Sequence, residues 1–110
     1  MTTETPRTAS SLHARGRELI QKEKFADAIA ALNEAIQLNP SMPMALNARG
    51  YAHYRLKQLT EAIADFDEAI KLDPKYANAY LNRGSAKRAV GDKTGGDADM
   101  AKARELTAKK

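Results

Sequence analysis

The sequence predicts an all-α fold, a solenoid of three copies of one helix-turn-helix hairpin. One step of 34 residues separates Gly16, Gly50 and Gly84, and the same step separates Arg15, Arg49 and Arg83. Ala35, Ala69 and Ala103 keep it too, as do Leu38, Leu72 and Leu106, while Leu32, Phe66 and Met100 keep it with a change of apolar type. Within each step, apolar and small residues recur at helical spacing. Pro40 and Pro74 match each other across the step, and proline biases the residue before it away from the helical region. A fixed period of this size means stacked supersecondary units.

Taken in chain order, residues 1–8 read as a polar, disordered tail, and 9–110 as a single domain of units 9–42, 43–76 and 77–110. The first helices of the hairpins fall near 10–23, 44–57 and 77–90, and the second helices near 25–38, 59–72 and 94–108. In the second unit, Leu46, Gly50 and His53 or Tyr54 form one stripe, and Leu59, Ala62, Phe66, Ala69 and Ile70 form the other. Leu56–Thr60 is the break between them. Gly16, Gly50 and Gly84 sit inside helices, where glycine costs about 1 kcal/mol against alanine. Close helix approach explains them, and they are expected to face Ala28, Ala62 and Gly96 across each hairpin.

Composition removes most chemistry. Hydrophobic residues at 43% and charged residues at 29% exclude a disordered charged chain. Aromatics are only 5% with no tryptophan, so the core must be built largely from Ala, Leu and Ile. The absence of cysteine removes disulfides, thiol nucleophiles and thiolate metal sites. Two histidines, His13 and His53, are not at ligand spacing, and no phosphate-binding loop follows the glycines. No catalytic residue, metal or cofactor is expected. No apolar run is long enough to span a membrane and MTTETPRTAS has no apolar signal core, so a cytoplasmic protein without a membrane partner is expected.

The period, the hairpins, the Gly–Ala–Phe–Ala–Pro positions and the Leu-Asp-Pro ending resemble the tetratricopeptide repeat. LNARGYAHYRLKQLTEAIADFDEAIKLDP, the second unit, is the nearest match to that pattern. The resemblance implies a right-handed superhelix with the first helices on the concave side. It departs from the family at Arg15, Arg49 and Arg83, where leucine is usual, and at Lys93 and Gly95-Gly96 in the third unit. The stems of those arginines are expected to pack between units.

The third unit reads as a degenerate cap. Ile29 and Ile63 become Asp97, and Ile36 and Ile70 become Arg104. Buried isoleucine stabilises by about 1.5–3 kcal/mol, whereas Asp and Arg resist burial. Terminal repeats need a polar outer face. Monomers are therefore expected, with weak self-association left open at the first unit.

Charge divides by helix. The first-helix segments sum to +8 and the second-helix segments to −7. Under the resemblance this makes a basic concave groove, lined by His13, Arg17, Asn47, Tyr51, Tyr54, Arg55, Asn78, Asn82, Ser85 and Arg88. Amides suit a peptide backbone, phenols supply apolar area and guanidinium groups pair with carboxylates. The expected function is non-catalytic binding of an acidic peptide segment of a partner protein. Single-stranded nucleic acid, stacked on Tyr51 and Tyr54, is the lesser alternative. Family members that clamp chaperone tails use Lys and Asn, then Asn, then Lys and Arg. Here those places carry His13 and Arg17, then Ala48, then Asn78 and Asn82, so that clamp is not expected.

Overall fold

The computed structural model describes residues 7–108. Six helices and no strand are present among them: α1 (Ala9–Gln21), α2 (Phe25–Leu38), α3 (Pro43–Arg55), α4 (Leu59–Leu72), α5 (Ala77–Ala89) and α6 (Lys93–Ala108). Each boundary falls within about two residues of its sequence expectation. None of the helices is long and apolar enough to cross a membrane. Of the tail expected over 1–8, the first six residues lie outside the described range. Thr8 belongs to the first hairpin: its hydroxyl accepts from the Ser11 N–H at 3.0 Å, and the Ser11 hydroxyl accepts from the Thr8 N–H at 2.9 Å. This reciprocal cap satisfies two donors that α1 would leave unpaired. Arg7 pairs with Glu34 on α2.

The three hairpin turns share one design. Lys24, Gln58 and Asp92 each donate a backbone N–H to the carbonyl five residues earlier, on Leu19, His53 and Lys87. That closure requires a left-handed residue just before the donor. Glu23 (φ 59°), Lys57 (φ 64°) and Gly91 (φ 94°) supply it. Pro43 enters α3 at its first turn, where its missing N–H leaves nothing unpaired.

Helices pack in chain order, α1 on α2, α3 on α4 and α5 on α6, with α2 on α3 and α4 on α5 joining the hairpins. The core runs along the stack through Leu32, Ala45, Leu46, Phe66, Ala69 and Ala79. Phe66 and Leu32 are its largest fully buried side chains. These two, and not the expected alanines, fill the space over the helical glycines. A methyl group on Gly16 would lie 2.5 Å from Leu32 Cγ, and one on Gly50 would lie 2.6 Å from Phe66 Cε1. Only in the third unit does small face small, with Gly84 and Gly96 at backbone distance. Met100 is slender, so α5 and α6 close the gap with their own main chains.

Candidate functional site

Curvature follows from which helices meet across units. α1 approaches α3 and α3 approaches α5, whereas α2 does not reach α4, nor α4 reach α6. The first helices therefore form the compressed, inner layer. Their side chains floor a depression of about 260 Å³ between Arg17, Ile20, Gln21, Asn47, Ala48, Tyr51 and Asn82. Four residues expected in the groove (Arg17, Asn47, Tyr51 and Asn82) are brought together here.

The floor is wired internally. The Asn82 amide donates to Asn47 Oδ1 at 3.0 Å, and the Asn47 amide donates to the Tyr76 hydroxyl at 3.1 Å. Burial pushes the Tyr76 phenol above its ordinary range, against the pull of the Asn47 bond. At the lip, Arg55 donates to the Tyr51 hydroxyl at 3.0 Å and lies 4.8 Å above the Phe25 ring. Phe25 meets Tyr51 edge-on at 6.5 Å. Arg55 also reaches Glu23 at 3.4 Å. Tyr51 is thus held by Arg55 and Phe25 while it lines the depression.

Other expected groove residues sit elsewhere. His13, expected to be exposed, is 8% exposed and buried. Burial first, and the Arg17 charge second, hold its imidazole below the usual range. Tyr54 packs on Ala62, Phe66 and Ala86 and leaves the groove floor. Ser85 donates to the Leu81 carbonyl at 3.2 Å. Arg88 is paired with Asp97 on α6. Asn78 lines a separate cleft between α5 and α6.

The charge of the first helices is also redistributed. Arg49 grips Asp65 through Nε at 2.9 Å and Nη2 at 2.7 Å, and donates from Nη1 to Asn33 of the preceding unit at 3.0 Å. Arg83 repeats this on Asp99 at 2.8 and 2.7 Å, with Nη1 on Asp67 at 2.9 Å. Every one of these partners is 16 residues away. The Arg83 guanidinium is held protonated chiefly by Asp99. So the repeated arginines bridge units through their charged heads. Arg15 finds Ala31 where Asp65 and Asp99 stand, and pairs with Glu18 on its own helix at 2.8 Å. His53 and Lys87 face Asp65 and Asp99 at 3.9 and 3.5 Å. Arg15, Arg49, Arg55, Arg83 and Arg88 are all engaged. Arg17 has neither a hydrogen bond nor an ion pair among the described residues.

Asp65, Asp99 and Tyr76 were not singled out from the sequence. The two aspartates recur at the repeat step on an otherwise apolar face, a signal that a charge-by-period reading would catch. No group of three His, Cys, Asp or Glu side chains that could hold a metal ion occurs among the described residues.

A tetratricopeptide repeat family model matches residues 13–77, more than half of the chain. The chain belongs to the tetratricopeptide repeat family. Domains of this family are protein-interaction modules. Among solved structures, this tetratricopeptide domain is similar to the first TPR of Spaghetti (RPAP3) bound to HSP90 peptide SRMEEVD. That match has a TM-score of 0.89 and 26% identity over 93% of this chain and 81% of the other. It is similar to the TPR2B domain in the pHsp70 complex of yeast Sti1 (TM-score 0.88, 29% identity, 91% and 80% covered). The Sgt2 TPR domain from Aspergillus fumigatus aligns with a TM-score of 0.88 and 25% identity over 97% and 70% of the two chains. Among curated protein sequences, none matches this tetratricopeptide chain.

Proposed function

We propose that this domain binds an extended acidic segment of a partner protein along its concave face, anchored on Arg17. The observation that carries this reading is the contrast among arginines. Five on the first helices are neutralised by Asp, Glu or neighbouring side chains, whereas Arg17, which lines the depression, is unpaired among the described residues. An unpaired guanidinium at the edge of this depression recruits a carboxylate and steers its approach. Tyr51 and Ile20 supply apolar area beside it, and Asn47 and Asn82 each keep an amide donor in reach of a peptide carbonyl.

A similar domain holds SRMEEVD, a peptide with three acidic residues. Acidity is the property carried over, not the partner. Of the places where chaperone-tail clamps have their side chains, this chain has a buried His13, an Ala48 without a polar atom, and an Asn78 in another cleft. One anchoring carboxylate is the reading these residues support.

The test is fluorescence anisotropy with SRMEEVD as an acidic probe and SRMQQVN as its neutral counterpart. The acidic peptide should bind about tenfold or more tightly, in line with a charged hydrogen bond of about 1.5–3 kcal/mol. Arg17→Glu should erase that difference, and Tyr51→Ala should weaken both peptides. Equal binding of the two peptides, or an Arg17→Glu variant that still discriminates, would overturn the reading.

A further inference from the structure

Arg55 fills a cleft between the first and second hairpins. Its guanidinium lies 4.8 Å above the Phe25 ring, donates to the Tyr51 hydroxyl at 3.0 Å and reaches Glu23 at 3.4 Å. The same cleft recurs 34 residues on, between the second and third hairpins. There it is open, with a volume of about 350 Å³. Ala89 stands in the place of Arg55, Leu59 in that of Phe25 and Lys57 in that of Glu23. Ser85 replaces Tyr51 and directs its hydroxyl to the Leu81 carbonyl. Tyr54 and Arg55 complete the walls. The group that fills the first cleft is missing from the second, and the charge that held it is reversed.

We infer that this open cleft takes a carboxylate side chain, with an apolar neighbour, from an extended segment of a partner protein. Neither the Lys57 ammonium nor the Tyr54 hydroxyl has a hydrogen bond or ion pair among the described residues. A carboxylate at the vacated place can accept from both. Lys57 also holds a left-handed backbone, φ 64°. At the same place in the other turns, Gly91 is the unstrained choice, and Glu23 (φ 59°) is a strained one whose side chain holds Arg55. Lys57 is strained in the same way without a partner among the described residues, so what it holds comes from outside.

Leu59 and Ala89 offer apolar surface that a bare ion would leave uncovered, which calls for an apolar side chain beside the acid. Residues i and i+2 of an extended chain share one face, roughly 7 Å apart, so an apolar residue two places from an acid fits. The cleft shares no lining residue with the depression around Arg17, and the Arg55–Tyr51 bond sets the two side by side. Only the choice of a peptide as the source rests on the concave-face reading.

The test is NMR titration of the isotope-labelled full chain with capped tripeptides that have no terminal charge. These are acetyl-Leu-Gly-Glu-amide and its Gln and Arg counterparts. The Glu peptide should move the amide resonances of Lys57, Leu59 and Ala89, and should bind about threefold or more tightly than the Gln peptide. Lys57→Glu, which restores the charge found at Glu23, should turn the preference to the Arg peptide. Ala89→Arg together with Lys57→Glu copies the filled cleft and should abolish binding of all three. Both positions are exposed, so the fold is not at stake. Arg17→Glu should leave the preference for Glu unchanged. Absence of binding, equal binding of the Glu and Gln peptides, or a preference that survives Lys57→Glu would overturn the proposal. So would sodium acetate producing the same shifts at the same concentration, since the cleft would then read charge alone. Shifts that appear on concentrating the chain by itself would make a second copy the occupant and overturn it too. Shift changes confined to Arg17, Asn47 and Tyr51 would overturn it while leaving the concave-face reading in place.

Discussion

Lys57 and Glu23 adopt a backbone that L-residues avoid, because the left-handed region sets Cβ against the following carbonyl at about 1–2 kcal/mol. The third hairpin uses Gly91 at the same place. Lys57→Gly should therefore stabilise the domain by up to about 1 kcal/mol, after the larger unfolded-state entropy of glycine is subtracted. Its urea midpoint should rise with an unchanged slope. Glu23→Gly should gain less, since Glu23 also holds Arg55. His13 gives the molecule a pH dependence of definite sign. Its imidazole has a lowered pKa in the folded state, so below about pH 6.5 the unfolded chain takes up a proton first. The stability present above that value falls as the pH drops, until His13 protonates in the folded state too. His13→Asn, which places the second unit's residue there, should flatten thermal melts recorded between pH 7 and 5. An unchanged difference between those melts would remove His13 as the cause.

At the level of elements, the joints between hairpins combine apolar packing with the two bridging arginines, and the two ends of each bridge differ in burial. On the Arg83 bridge the Asp99 side chain is 7% exposed and that of Asp67 is 54% exposed, and Asp65, which matches Asp99 on the Arg49 bridge, is 8% exposed. Asp65→Ala strands Arg49 and His53 without their shared carboxylate and should cost about 3–5 kcal/mol. Asp67→Ala removes an exposed contact and should cost under about 1 kcal/mol. Chemical denaturation of the two variants checks the contrast. Helix positions were legible in the sequence because period, proline and glycine act locally. Bridging partners were only half legible: Asp65 lies 16 residues from Arg49, and Asp99 16 from Arg83, but no local rule says that they touch. The burial of His13 was not legible, because it depends on whether a following hairpin covers that place. Asn47 and Leu81 share its position and differ in exposure for that reason alone. Arginine counts misled about the groove for a related cause, since net charge per helix is blind to pairs made across the hairpin.

The whole array measures 56 × 32 × 21 Å, and both of its ends carry charge where its joints carry apolar residues. Asp97 and Arg104 do this at one end, and Glu18, where Ala52 and Ala86 are fully buried, does it at the other. Asp97→Ile with Arg104→Ile alone would leave Glu18 against the new apolar face. Adding Glu18→Ala should release head-to-tail association. Sedimentation velocity should then show a concentration-dependent rise in mass for the triple variant and little for the double. A triple variant as monodisperse as wild type would show that charge is not what keeps the ends apart.

The 16-residue reach of the bridging arginines also makes the molecule extensible. A duplicate of residues 43–76 spliced in after Tyr76 would present its arginine to Asp67 behind it and to its own copy of Asp65 ahead. Arg83 would then find the duplicate of Asp67 in place of the original. Each added unit supplies the acceptor that the next one needs, and the charged ends are untouched. The length of the concave face is therefore an adjustable dimension, set by how many copies of one 34-residue module are inserted.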